Sequence, residues 1–461
     1  MVTLGTICTV RARGRLEGVH RTDSTPPGVP RRLCHSAGVS IERLPTANEI
    51  PAIQERTVRL LMASQTMGGI GVAIGIAVAA IIAAQISGSD ALSGLATTAQ
   101  VLGGALLTIP IAALMATRGR RVGLSTAYLL GTLGAGCAIV ATATATFWLL
   151  LVGTFLFGAA TTANAQARYA AVDLAEPSHR GRQLSLVVWA TTIGSVLGPN
   201  LLGPAADLSR LLGLPPLAGA WVISSAGFLV AFALLTAYLR PDPLLTARAL
   251  AAIDTPADPA GPRRSFRHGL GVLRRTPEAL AGTVAIAGGH VVMVSIMVMT
   301  PLHMTHGDAE VEVIGFVISM HILGMYGLSP VAGALTDRWG SPRVVLLGVA
   351  LLLLACLLAG LSVAGFSWGL TAGLTLLGLG WSCTMVAGSA QLAGAVPVSD
   401  RSAVQGAADV LMGLSAATGG ALAGVVVDTL GYGWLCALAA LVAVALGSTA
   451  LRRLRVVSLT A

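Results

Sequence analysis

Twelve long apolar runs constrain this chain more than any other feature. They lie at about 59–86, 91–116, 122–143, 146–172, 182–207, 216–239, 278–302, 312–336, 343–364, 367–392, 403–427 and 430–451. Each holds about 20–28 residues, enough to cross a hydrocarbon core of ~30 Å with some tilt. Lipid offers no water to backbone amides, so each run must satisfy its own hydrogen bonds as a helix. Composition agrees: 54% of residues are hydrophobic and only 11% are charged, against about 25% charged in a soluble domain. The expected class is an all-α membrane protein with twelve transmembrane helices.

Charge gives the orientation. The basic residues are all arginine, and with the N-terminus inside, the inner loops and C-terminal tail carry nineteen of them, from Arg118 to Arg455. The outer loops carry Arg210 alone, beside Asp90, Asp207, Asp308, Glu310, Glu312 and Asp428. Such a bias places both termini in the cytoplasm. The Ala-, Gly- and Arg-rich, lysine-free composition suggests a GC-rich bacterial genome, hence a bacterial inner (plasma) membrane. The net charge of +9 then marks topology and contact with anionic lipid, and no nucleic acid is expected as a partner. Residues 1–55 read as a disordered cytoplasmic tail, since their apolar start is too brief for a signal peptide. Cys8, Cys34, Cys137, Cys356, Cys383 and Cys436 form no C-x-x-C pair and read as small packing residues. No Walker loop is present, so the chain does not hydrolyse nucleotide by itself. No enzymatic activity, cofactor or metal is expected.

The stretch 333–343, GALTDRWGSPR, has the spacing G-x-L-x-D-R-x-G-x-x-R through Gly333, Leu335, Asp337, Arg338, Gly340 and Arg343. Its first glycine permits close helix approach, its charges meet the membrane surface, and Gly340 turns the chain. The stretch 112–122, AALMATRGRRV, answers it, with Gly119 matching Gly340 (340 − 119 = 221). Gly103 and Gly324, Arg180 and Arg401, Gly198 and Gly419, and Asp207 and Asp428 share that offset, which indicates a duplication of six helices.

With these motifs the chain resembles the major facilitator superfamily of secondary transporters over about residues 56–455. The resemblance implies two pseudo-symmetric six-helix bundles, 56–240 and 278–455, joined by a basic cytoplasmic linker, 241–277. The bundles of that family rock about a central cavity that binds a small-molecule substrate, and the protein would act as a monomer. Gly194, Gly198, Pro199 and Gly203 partly resemble the fifth-helix motif of drug/proton antiporters. Two departures stand out. Ala116 and Thr117 occupy the places of Asp337 and Arg338, leaving Gly119 with Arg118, Arg120 and Arg121. Thr154 occupies the place of the fourth-helix arginine of proton-coupled antiporters. The resemblance implies that Asp337 reaches the inner end of the fifth helix near Gly181 and Arg182. The twin latch, from Ala116 to the eleventh helix, should be absent. The inner gate is therefore expected to be one-sided and weak across from Asp409.

Ionisable residues deep in a membrane are functional candidates. His290 and His321 lie near the middle of the seventh and eighth runs and suit proton coupling or a gate. Each could equally be a neutral histidine bonded to a neighbouring helix. Asp409, two turns into the eleventh run, is either a proton carrier or the partner of an inner arginine. Arg168 reads as a snorkelling anchor. Asn164, Gln65, Gln100 and Asn200 are polar cavity candidates, although interhelical hydrogen bonds would also explain them. Trp189 and Trp381 could stack on a substrate or simply pack. Trp148, Trp221, Trp368 and Trp434 are placed as an interfacial belt, and Gly369 and Gly373 as a helix-contact face. His303 and His306, with nearby acids, read as a polar outer loop rather than a metal site. Phe266, Leu270 and Leu273 share one face of a short linker helix, either lying on the inner membrane surface or part of a solvated linker. Thr276-Pro277-Glu278 reads as a helix start.

The function expected from these features is export of a small apolar molecule by alternating access, with protons as the candidate coupling ion. Uptake of a small organic solute is the alternative within the same class. A membrane sensor that has lost transport is the alternative of another class.

Overall fold

The computed structural model describes residues 45–254 and 265–460, and every regular element among them is helical. Most of the expected tail lies outside the described residues. Helix α1 (Ile50–Ser87) begins inside the stretch read as tail, and its Gln54 is buried, donating to the Ala171 carbonyl at 2.6 Å.

Helix α2 (Asp90–Thr144) has 55 residues, roughly 80 Å of helix at ~1.5 Å per residue and far more than one crossing needs. It breaks at Gly119, with φ 86° and ψ 175°. Gly340 has φ 83° and ψ 150°, so the repeated motif turns on the same glycine geometry in both halves, one that a side chain would strain. The first half continues with α3 (Phe147–Ala170), α4 (Arg180–Asn200), α5 (Leu202–Leu211) and α6 (Ala218–Tyr238). Helices α4 and α5 meet at a 61° bend just after Gly198-Pro199, where proline removes an amide donor and lets the helix kink.

The linker carries α7 (Pro243–Asp254) and α8 (Phe266–Arg275). The second half follows with α9 (Pro277–Thr305), α10 (Val311–Ile322), a π-helical turn Leu323–Gly327, α11 (Ser329–Trp339), α12 (Ser341–Gly360), α13 (Trp368–Ala395), α14 (Arg401–Leu430) and α15 (Tyr432–Thr460). Pro277 and Glu278 open α9 as expected, but the Thr276 side chain makes no capping bond. Among the described residues ten helical stretches are long and apolar enough to cross a membrane, or eleven with the bent α4–α5 pair. That count takes α2 as one stretch, although its break at Gly119 separates two of the twelve expected runs.

Each half has its own core. In the first, Phe157 stands edge-on to Trp221 at 5.3 Å and to Phe228 at 5.0 Å. Trp221 is fully buried, so it belongs to this core and not to an interfacial belt; Trp148, Trp368 and Trp434 are exposed. The second core gathers Leu352, Leu374, Leu377 and Tyr432 with Cys356 and Cys436. Helices cross closely where glycines allow it. A Cβ on Gly103 would strike the Phe155 carbonyl, and one on Gly324 would strike the Thr375 carbonyl, so the duplicated glycines mark duplicated crossings. Gly373 also meets a neighbouring helix, at Ala359, whereas nothing from another helix lies near Gly369. The halves meet where α11 packs on α4 and α14 packs on α2. Linker helix α8 packs on α14, with Leu273 buried and Gly269 against the Ala403 backbone. It is thus held on the protein by its apolar face and is not a solvated linker.

Candidate functional site

A cavity of about 860 Å³ lies between the halves. Its lining starts at Arg168 and Asp409 and runs to Gly94, Val298 and Ala421, the ends of α2, α9 and α14 away from the arginine-rich loops. The cavity therefore opens opposite the arginine-rich end and is closed toward it.

The floor is a charge pair. Arg168, 5% exposed, donates through Nη2 to Asp409 Oδ1 at 2.5 Å. Its Nε donates to Ser389 Oγ at 3.2 Å and its Nη1 to the Ala165 carbonyl at 2.7 Å. Asp409 also accepts from Gln166 Nε2 at 2.7 Å. The snorkelling expected of Arg168 is overturned: α3 turns the side chain inward, where only a fully bonded guanidinium is tolerated. Of the two roles left open for Asp409, answering an arginine is the one the contacts display.

The wall holds several of the sequence candidates. Trp381 Nε1 donates to His290 Nδ1 at 2.9 Å, so His290 is a neutral imidazole protonated on Nε2 in this arrangement. Tyr326, on the π-helical turn, stands edge-on to Trp381 at 5.6 Å. Asn164 lines the cavity and accepts from Tyr128 Oη at 2.7 Å. Gln65 and Gln100 line it too, each with a buried Oε1 that has no partner among the described residues. His321 and Trp189 are not among the lining residues; His321 Nδ1 bonds the Leu374 carbonyl at 2.8 Å. Asn200 donates to the Val196 carbonyl of its own helix. Gly198 lies against Ala73, where a neighbouring helix passes.

Two sets of contacts close the arginine-rich end. On the α4–α11 side Asp337 accepts from the Gly181 amide at 2.7 Å and the Arg182 amide at 2.8 Å. These are the free amides of a helix N-terminus, which favour an anion. Gly333 makes the approach possible, because a Cβ there would lie 2.6 Å from the Gly181 carbonyl oxygen. Ser329 adds a bond to the Ser185 carbonyl at 3.1 Å. This is the contact expected from the motif. Arg338 is exposed, and Arg343 bonds the Trp339 carbonyl of its own turn at 3.4 Å.

The α2–α14 side was expected to be weak, and it is not. Arg120, wholly buried, donates to Asp173 through Nε at 2.8 Å and Nη2 at 3.4 Å. It also donates to Gln166 Oε1 at 3.2 Å and to Gln405 Oε1, across the halves, at 2.5 Å. Arg401 reaches the same Asp173, its Nη1 3.3 Å from the carbonyl oxygen and 3.7 Å from Oδ1. At Ala116, where the motif acid is missing, the backbone carbonyl accepts from Arg248 Nη1 of α7 at 2.5 Å. The same guanidinium bonds the Val398 carbonyl at 3.4 Å and the Ser399 carbonyl at 3.3 Å in the second half. His268 of α8 adds a bond to Asp400 at 2.9 Å. The expected one-sided gate is thus corrected to a two-sided one.

Sequence reasoning missed Asp173, Gln166, Gln405 and Arg248. One signal was available: Gln405 precedes Asp409 by four residues, on the same helix face. Asp173 was likewise the acid beside an otherwise basic end.

The Major Facilitator Superfamily model matches residues 60–309 and 307–458. The MFS-type transporter YdeG of Bacillus subtilis (strain 168) is 35% identical over 381 residues, 83% of this chain and 88% of that protein. The riboflavin transporter RfnT of Brucella anthropi is 27% identical over 363 residues, 77% of this chain and 85% of that protein. The crystal structure of human MFSD10 (TETRAN), an organic anion transporter, shares the fold with a TM-score of 0.67 at 16% identity, covering 86% of this chain and 99% of that one. Two helical halves around a cavity, a repeated loop motif that closes one end, and these matches lead to one conclusion: the chain belongs to the major facilitator superfamily and is a multi-pass membrane transporter.

Proposed function

We propose that the protein exports a small, largely apolar molecule across a bacterial plasma membrane, with a proton gradient as the driving force. The observation that carries this reading is the cavity itself: mostly apolar, open at the arginine-poor end, and floored by the Arg168–Asp409 pair. Arginine bias orients the closed end to the cytoplasm, so the mouth faces outward. Opening the closed end separates α3 from α14 and breaks the pair. A bare Asp409 carboxylate in that setting is costly; a proton on it removes the cost and frees Arg168. Among His290, His321 and Asp409, Asp409 is the one whose partner sits on the other half, so opening changes its surroundings, whereas the bonds of His290 and His321 lie within the second half.

The test is reconstitution into proteoliposomes with an imposed pH gradient and a compound panel. Accumulation should follow the gradient in the wild type. Asp409→Asn should abolish gradient-driven accumulation by at least tenfold while retaining substrate exchange, and His290→Ala/His321→Ala should retain coupling. Full gradient-driven transport by Asp409→Asn would remove the proton role.

Uptake of a small organic solute is the second reading. The polar lining groups Gln65, Gln100 and Asn164 and the relative named as a riboflavin transporter favour it. The same vesicles decide the direction.

A further inference from the structure

The bond between Trp381 and His290 fixes what His290 can offer to the cavity. Helices α9 and α13 cross closely beside it. A Cβ on Gly289 would strike the Thr384 side chain, and one on Gly282 would strike the Gly388 carbonyl. The crossing sets Trp381 of α13 against His290 of α9, with ring centroids 6.0 Å apart. An indole nitrogen can only donate. Its 2.9 Å bond to His290 Nδ1 therefore leaves Nδ1 without a proton and puts the imidazole proton on Nε2. A second proton, on Nδ1, would face the indole N–H, so the ring stays neutral while this bond holds. Among the described residues no acceptor meets Nε2. That N–H is also not sealed in the protein as the Gln65 and Gln100 oxygens are: His290 is partly exposed and lines the cavity. Tyr326 stands edge-on to the same indole at 5.6 Å and walls the spot with a ring. Asp409, the carboxylate of the lining, is taken up by Arg168 and Gln166 and leaves this donor unanswered.

We infer that the substrate carries a carbonyl-type oxygen, and that this oxygen accepts from His290 Nε2–H. Water answers the N–H while the cavity is open. Once the cavity closes around cargo that water is gone, and a cargo without an acceptor strands the donor at a desolvation cost. A carbonyl oxygen accepts and brings no proton of its own, whereas a hydroxyl would add a donor that a mostly apolar wall must then answer. This rests on the transport reading, because it treats the cavity as the substrate site. It adds a functional group to the substrate. It also makes His290 a specificity-determining residue, with Trp381 holding its tautomer.

Two matched pairs of probes test this: 9-fluorenone against fluorene, and xanthone against xanthene. Within each pair a carbonyl replaces a methylene. Equilibrium dialysis against the full-length protein in detergent, with empty micelles as the blank, gives the ratio of ketone to methylene affinity. Comparing that ratio between variants cancels micelle partition and the different hydration of the two probes. His290→Met removes the N–H and keeps a sulfur acceptor for Trp381. Its ratio should fall about fivefold, the worth of roughly one hydrogen bond, while the methylene probes bind as in the wild type. His290→Gln, whose amide both accepts and donates, should keep most of the wild-type ratio. An unchanged ratio in His290→Met, equal loss of ketone and methylene probes there, or no binding of either ketone to the wild type would overturn the inference. Because the readout is binding, it fails separately from transport. Ketones that bind in this pattern yet do not cross proteoliposomes would support the site and sink the transport reading.

Discussion

Asp173 carries more of the closed end than its position suggests. It sits just past α3, where it neutralises Arg120 and also meets Arg401. Removing one member of a buried ion pair costs about 3–5 kcal/mol, because the other charge is stranded. Asp337 is different. It is partly exposed and bonds two backbone amides, and an asparagine there keeps an acceptor oxygen. Asp173→Asn should therefore lower the melting temperature in detergent clearly more than Asp337→Asn. Equal melting of the two variants would show that the Arg120 network is not holding the fold. The contrast also shows what the sequence could reveal at this scale. Asp337 was legible because its motif fixes its place on the helix and the family resemblance implies the amides it meets. Asp173, Gln166 and Gln405 were not, since their partners are chosen by how α2, α3 and α14 approach one another. Arg168 was misread for the same reason: an arginine near a helix end can turn toward lipid headgroups or inward, and only Asp409 on a different helix decides.

Most helices follow directly from the length and hydropathy of their runs, so the elements were legible apart from their joints. The joints depend on local geometry. The two runs on either side of Gly119 meet directly at that glycine with no loop between them, and the run after Arg180 became two helices with a bend at Gly198-Pro199. Linker helix α8 shows the same limit. Its apolar face was visible, but the surface it covers, the first turns of α14, was not. Close crossings offer a test at this scale. Gly103 faces the Phe155 carbonyl, whereas nothing lies within 4 Å of a Cβ on Gly94, in the same helix. Gly103→Ala should destabilise by about 1–3 kcal/mol or more through overpacking, read as loss of monodisperse protein on mild heating. Gly94→Ala should match the wild type. Equal tolerance of both would mean the α2–α3 crossing is looser than described.

At the scale of the whole molecule, duplication explains the architecture and its asymmetry. The motif turns at Gly119 and Gly340 match, and so do the glycine crossings, yet the two closures do not. One half keeps the motif acid, Asp337. The other has Ala116 there and holds its side with Asp173, Gln405 and the linker's Arg248. Near Arg180, the repeat counterpart of Arg401, the corresponding stretch Ala393-Gly394 has no acid, and a Cβ on Gly394 would lie 2.9 Å from Arg180 Nη1. Each side of the gate thus has its own acid, placed on a different element. Shifting a two-state equilibrium from 99:1 to 1:99 takes about 5.5 kcal/mol, and a hydrogen bond to a charged group contributes about 1.5–3 kcal/mol. Losing one side alone should therefore leave the closed end mostly closed.

That two-sided gate can be measured directly. Ser178 and Ser399 are exposed counterparts across the repeat, on the two halves at the arginine-rich end. Spin labels on Ser178→Cys and Ser399→Cys, in a background with the six native cysteines replaced, report their separation by double electron–electron resonance. The wild type should give one dominant short distance, and Asp337→Asn should keep it as the main population. Asp337→Asn/Arg248→Ala should shift most of the population to a longer distance. A shift in Asp337→Asn alone as large as in the double variant would contradict the account and leave the gate one-sided.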